Sequence, residues 1–363
     1  MNGEMTEKVK RLRDYIVRKK VDGILLNKVE NFTWLTCGGY SHVSTGSEYG
    51  VATILVTEEG LQVFLDEIER YRIFDEEISE QDFEGIPCDW YIDKKEKLLQ
   101  IVGKRNFVGD NPALGVPDIT DDLRMIRASL TLWELERVKT GGALCGRILT
   151  DVCLQAAPGE KEREIQGRIV QQAIQAGIQA PVVLVASDER IFKYRHPIPT
   201  DKRIERYLMV VLGARYQGIY LSLTRLVHFG GLGNELSKKW NACANIDGRM
   251  ILSTAINRTL GEMFEILTEE YANQGYAGEW RYHHQGGTTG YEGRDILARP
   301  EEKTRIVKNQ LIAWNPSISG VKSEDTIYVD EEGSHIATRD PRWPVSKFVF
   351  DNKKIMRPQI LVR

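Results

Sequence analysis

Several things are scarce in this sequence, and each shortage narrows what the protein can be. Cysteine is sparse and scattered: Cys37, Cys88, Cys145, Cys153 and Cys243 form no CxxC pair. That argues against a disulfide framework and fits reduced thiols in a cytoplasm. No apolar run approaches the ~20 residues that a membrane-spanning helix needs. The opening MNGEMTEKVKRLRDY is charged and lacks the apolar core of a signal peptide. A soluble cytoplasmic protein without a membrane partner is expected. Neither charge sign dominates, the formal net charge being −3 from interspersed residues, and aromatics do not alternate with basic residues. Nucleic acid is therefore not an expected partner. The glycine-rich stretch 229–233 lacks the lysine signature of a phosphate loop, and no short-period repeat is present.

What is present is an ordinary globular composition, 42% hydrophobic and 28% charged, over 363 residues. That length suffices for two domains with separate cores. The first part alternates helix and strand. A charged helix is expected over 6–20 and a buried strand over 22–26, followed by a Gly/Ser-rich loop over 31–50. Strands over 51–57 and 61–65 flank the turn Glu58-Glu59-Gly60, and a further strand over 106–109 completes a small mixed sheet. A boundary near 119–129 separates residues 1–125 from 126–363. The second part shows helices over 132–156 and 160–176, strands over 182–186 and 208–213, and a long hairpin over 214–228. Helices over 234–254 and 260–274 follow, then a β-rich remainder with strands over 311–316 and 324–329. The order helices, strands, helices, strands indicates an α+β fold with a pseudo-duplicated half-shell.

Five separated segments carry the chemistry. They are RHPIPTDKRIERYLMVVLGARYQGIYLSLTRLVHFG (195–230), YHHQGGTTGYE (282–292), WNPSISG (314–320), SEDTIYV (323–329) and the approach RMIRASLTLWELERVKTGGAL (124–144). Together and in this order they resemble the creatinase/prolidase/aminopeptidase P family, the pita-bread metallopeptidases. His196, Pro199, Thr200, Asp201, Gly213, Ala214, Gly218, Thr224 and Arg225 stand in matching places. The resemblance implies a C-terminal pita-bread domain behind a smaller creatinase-type α/β domain, and a homodimer.

The resemblance also implies two divalent ions held by two Asp, one His and two Glu. Those positions hold Val211, Ser222, Gly287, Asn315 and Glu324. Two dications bring a formal charge of +4 and require several anionic oxygens. One carboxylate, an amide and a hydroxyl do not balance it, so no dinuclear metal site and no cofactor are expected. The alternative is a single ion captured by His283, His284 or Glu324.

Creatinase, within the resembled family, hydrolyses a C–N bond without metal, through a histidine and carboxylates that hold a cationic substrate. The leading expectation is a metal-independent hydrolase or lyase of that kind for a small nitrogenous molecule. His196 would be the acid/base, with His283 and Glu324 orienting the substrate. His284, Gln285, Ser222, Asn315, Tyr220 and Arg225 are candidate substrate contacts, and Gly287 would enlarge the pocket. Tyr40 and His42 would reach a partner's substrate if the family's dimer carries over. Ser222 with His196 lacks an acidic third partner for a nucleophilic triad. Two other readings stand beside the leading one: a non-catalytic module binding a peptide or protein, and an Xaa-Pro aminopeptidase or dipeptidase.

Overall fold

Asn2 starts the first helix by accepting the Met5 N–H at 2.8 Å. In the computed structural model, which describes residues 1–79 and 81–363, the chain forms two units, Met1–Thr131 and Leu132–Arg363. The first unit comprises α1 (Gly3–Lys19), β1 (Gly23–Lys28), α2 (Val29–Leu35), β2 (Tyr49–Val56), β3 (Leu61–Asp66), α3 (Glu67–Arg72), β4 (Glu84–Cys88), α4 (Lys94–Val102), β5 (Phe107–Gly109) and α5 (Thr120–Arg127). Its sheet runs β4-β3-β2-β1-β5, with β1 antiparallel to β2 and parallel to β5. This is the expected small mixed sheet.

Two local expectations change. The stretch read as loop from residue 31 begins inside α2, because Phe32, Trp34 and Leu35 have an apolar face to bury. Asp110 fastens its start, accepting from the backbone of Asn27 at 2.7 Å and Lys28 at 3.0 Å and from Asn31 Nδ2 at 2.8 Å. The position chosen for the domain boundary, 125/126, falls within α5, so the first unit continues to Thr131.

The second unit opens with α6 (Leu132–Gln155), α7 (Glu162–Gln175), β6 (Ile178–Ser187), α8 (Glu189–Lys193), β7 (Tyr207–Tyr216) and β8 (Ile219–His228). After α9 (Asn234–Ser253) and α10 (Leu260–Asn273) come β9 (Gly286–Thr289), β10 (Ile296–Leu297), β11 (Gln310–Trp314), β12 (Ser317–Ile318), β13 (Val321–Lys322), β14 (Asp325–Asp330) and β15 (Gly333–Ile336). The chain ends in the hairpin β16 (Val345–Phe350) and β17 (Lys353–Pro358), then β18 (Leu361–Val362). One sheet runs β18-β8-β7-β6 and another β10-β9-β11-β14-β15. Thr259 and Glu262 close a capping box at the start of α10, which explains the sharp helix onset there.

Between the sheets and α9 and α10 lies an apolar core that includes Met209, Ile246, Met263, Tyr271, Ile312, Trp314 and Ile327. The sheets meet where the Thr224 N–H donates to the Glu324 carbonyl at 3.0 Å and the Ser222 N–H to Thr326 Oγ1 at 2.7 Å. This junction brings the middle of β8 against the start of β14. Among the described residues no helix is long and apolar enough to cross a membrane.

Candidate active site

His196 sits on the segment after α8, and a buried carboxylate fixes that segment. Glu162 accepts from Ser187 N–H at 2.8 Å and from the Thr200 N–H and hydroxyl at 2.9 and 2.8 Å, and it pairs with Arg190. Arg190 in turn donates to the Ile198 carbonyl at 2.8 Å. Next to His196, Arg195 bonds Glu279 at 2.6 Å, and Glu279 also accepts the Ser319 N–H at 3.2 Å. Glu279 opens the short turn Glu279–Tyr282 that delivers His283 and His284. These bonds hold two distant segments face to face: His196 Nε2 and His283 Nε2 are 3.0 Å apart.

At that distance one nitrogen carries the proton and the other accepts it, so at least one ring is neutral at that edge. Burial, then Lys322 and the neighbouring imidazoles, push His283 down to about 2. Burial, then Arg294 and Lys322, bring His284 to about 4. Burial with Lys322 also lowers His196. All three imidazoles are therefore neutral at pH 7.

Beside them is a cavity of about 210 Å³ lined by Val182, Leu184, Val211 and Gly213 on β6 and β7, and by Tyr220 and Ser222 on β8. His196, His284, Gly293, Arg294, Asn315, Lys322 and Glu324 complete it. Glu324 is buried, and both its oxygens are engaged. Oε1 meets Arg294 at 3.1 Å, while Oε2 meets Lys322 Nζ at 2.8 Å and accepts the Thr224 hydroxyl at 2.7 Å. Burial alone would raise its carboxyl, yet Lys322, Arg294 and Thr224 together hold it down at about 2. The expected pairing of Glu324 with a substrate cation is thus replaced by two cations of the chain itself.

Lys322 and Arg294 did not emerge from the sequence as site residues. Lys322 stands two positions before Glu324, a spacing that puts alternate side chains on one face of an extended chain, so a signal for it existed. Arg294 arrives from the turn between β9 and β10, and no local pattern announces it.

The remaining candidates divide. Ser222, Asn315, Tyr220 and His284 line the cavity. Asn315 Oδ1 is buried without a partner, as are His283 Nδ1 and Arg294 Nε. Arg225 points away, buried, donating to Asp325 at 3.0 Å and to the Thr338 carbonyl at 2.8 Å. Gln285 is spent on Tyr271, Trp280 and His283. Tyr40 and His42 belong to the first unit, their rings edge to face at 5.2 Å. Gly287 does not line the cavity. It lies where β9 and β10 nearly touch, and a Cβ there would stand 2.1 Å from the Ile296 carbonyl oxygen. Close backbone approach, and not pocket enlargement, accounts for the glycine.

A model of metallopeptidase family M24 matches residues 136–331. The chain belongs to metallopeptidase family M24. Among M24 relatives, the Xaa-Pro dipeptidase of Pyrococcus horikoshii is 23% identical over 365 residues, covering 93% of this chain and 98% of that one. The solved Xaa-Pro dipeptidase from Bacillus anthracis superposes with a TM-score of 0.77 at 16% identity, covering 99% of this chain and 100% of that one. The N-terminal domain of the FACT complex subunit SPT16 from chickpea superposes at 0.69 with 10% identity, covering 92% and 95%. The two-domain α+β architecture with a C-terminal pita-bread unit is therefore that of the M24 peptidases, as expected.

The M24 metal pair does not fit these residues. Val211 offers no donor, Gly287 has no room for one, and the surviving carboxylate is already neutralised by Lys322 and Arg294. Like unit charges ~4 Å apart repel by about 4 kcal/mol at an effective dielectric near 20, and a dication against an ammonium by about twice that. What the site does hold is a partial, non-family grouping: one ligand atom from each of His196, His283 and His284, all within 4.8 Å of one another. Those three neutral imidazoles are donors for at most a single ion.

Proposed function

We propose that this M24 protein is a hydrolase that cleaves the C–N bond of a small peptide-like substrate without the family's dinuclear centre. The imidazole pair His196–His283 would supply the proton transfers. The observation that carries the reading is the 3.0 Å Nε2–Nε2 contact of two neutral imidazoles beside a cavity whose one carboxylate, Glu324, is paired with Lys322 and Arg294. Peptide-type chemistry is favoured by the likeness to Xaa-Pro dipeptidases over nearly the whole chain. The substrate differs from the leading expectation from sequence, since Lys322 and Arg294 already neutralise the charge of Glu324 that a cationic group would need.

In this scheme His283 accepts the Nε2–H of His196, which fixes the tautomer and leaves the other nitrogen of His196 as base. That nitrogen takes a proton from water as the water oxygen bonds the carbonyl carbon, and the C=O electron pair moves onto oxygen. On collapse that pair re-forms C=O, the C–N bond breaks with its electrons on nitrogen, and the imidazolium returns the proton to it. Water is consumed, and an acid and an amine are released. Lys322, with two N–H bonds not spent on Glu324, lies on the cavity wall to meet the negative oxygen.

The test is turnover of a dipeptide panel that includes Xaa-Pro sequences, with and without EDTA. Release of amino acids that EDTA leaves intact and His196→Ala removes is the expected result. Activity that appears only with added Mn²⁺ would refute the metal-free route. No turnover by a folded protein would instead favour a binding module, which the same fold also supports.

A further inference from the structure

We propose that the cavity is a site for a small monoanion: a carboxylate carried next to an N–H group and a short aliphatic body. This deepens the hydrolase reading by naming its substrate class, and for turnover it rests on that reading.

The first support is charge. Of the side chains lining the cavity, Lys322 and Arg294 are cationic and Glu324 is the one carboxylate. At least one positive charge is left over on the cavity wall, beside the buried carboxylate Glu324. A cationic ligand would add to the surplus, and a single carboxylate cancels it.

The second support is the set of unspent hydrogen-bonding groups. The Lys322 ammonium has three N–H bonds and gives one to Glu324. Arg294 Nε is buried with no partner. These are donors for a carboxylate, and the bonds would be charge-assisted. Asn315, itself only 2% exposed, presents a buried Oδ1 with no donor, a place for an N–H beside that carboxylate. Across the cavity Val182, Leu184 and Val211 form an apolar wall. Shape agrees with this chemistry. At about 210 Å³ the cavity is smaller than the ~300–1,000 Å³ of pockets for drug-sized ligands, which suits an acylated amino acid.

The same balance serves the proposed reaction. With the carboxylate bound the cavity is neutral, and attack by water creates an oxyanion and an imidazolium together, so the net charge stays the same.

The experiment is calorimetric titration of the full chain with three probes: N-acetyl-L-alanine, its neutral isostere N-acetyl-L-alaninamide, and methylguanidinium. The carboxylate should bind about tenfold or more tighter than the amide, and methylguanidinium should not bind. Lys322→Met and Arg294→Gln should each weaken the carboxylate by about tenfold or more. Equal affinity for acid and amide, binding of methylguanidinium, or no binding of any probe would each overturn the proposal, and these arms need only the unaltered protein. Binding is read without turnover. A protein that prefers the carboxylate but cleaves nothing loses the hydrolase reading and keeps the site. One that cleaves only neutral or cationic amides keeps the reading and loses the site.

Discussion

Glu324 and Asp325 are adjacent carboxylates, each held by two cations, and extended backbone sends them to opposite faces. Behind the sheet, Asp325 meets Arg225 at 3.0 Å and Arg357 at 2.9 Å, and Arg357 also pairs with Asp247. That group has two positive and two negative charges and side chains at most 1% exposed. In front, Glu324 faces Lys322 and Arg294 alone, beside open space. Unpartnered nitrogens occur on both sides, Arg357 Nε behind and Arg294 Nε in front, so they do not separate the two. Net charge does. The rear network closes on itself and anchors the C-terminal hairpin to the core, whereas the front one is left one anion short.

Breaking the rear network should give the largest effect on stability. Arg357→Ala strands Asp247 in the core, leaves Asp325 with Arg225 alone, and should cost about 3–5 kcal/mol in urea unfolding. A cost below that of Lys322→Met would erase the distinction between the two faces. The largest effect on rate belongs to the front: His196→Ala should slow turnover by about 10²–10⁴-fold, with a urea midpoint near that of the unaltered chain. Glu324→Gln sharpens the contrast further. It raises the surplus by one positive charge and should tighten N-acetyl-L-alanine by about tenfold, whereas a site built for cations would lose its ligand.

Acid gives a smaller and graded effect. Unfolded histidines take up protons near 6.5, while folded His283 and His284 resist until about 2 and about 4. The unfolded chain then binds more protons, so stability falls as pH drops below 6.5. Glu324 adds to the fall below 4.5, its unfolded value, down to about 2. Asp110 and Asp247, raised by burial, act in the opposite sense. Urea midpoints at pH 7 and pH 5 should therefore differ less in His283→Asn than in the unaltered protein, and an unchanged difference would remove His283 from the account.

Much of this was legible in the sequence where the signal is local. Helices α9 and α10 follow from apolar periodicity, and the vacated metal positions follow from motif spacing; the hairpin expected within 214–228 instead pairs the whole of β7 with β8 about a turn at 217–218. The α2 helix was hidden because its apolar run is short and polar residues surround it. Glu324 stands out in the sequence as a site residue, but its partners do not, since Arg294 reaches it from thirty residues away. Gly287 was misread because a close strand-to-strand approach leaves no mark in a single sequence. Charge compensation across a fold depends on such distant pairings, and that was the part of the site least visible beforehand.

The central claim is that side-chain cations occupy the place of the two metal ions. Elemental mass analysis tests it on protein purified without chelator and dialysed first against Mn²⁺, then against metal-free buffer. The account predicts no retained pair of ions, and at most one per chain, lost when His196, His283 and His284 are replaced. Two tightly held ions per chain, lost on Glu324→Gln, would contradict it.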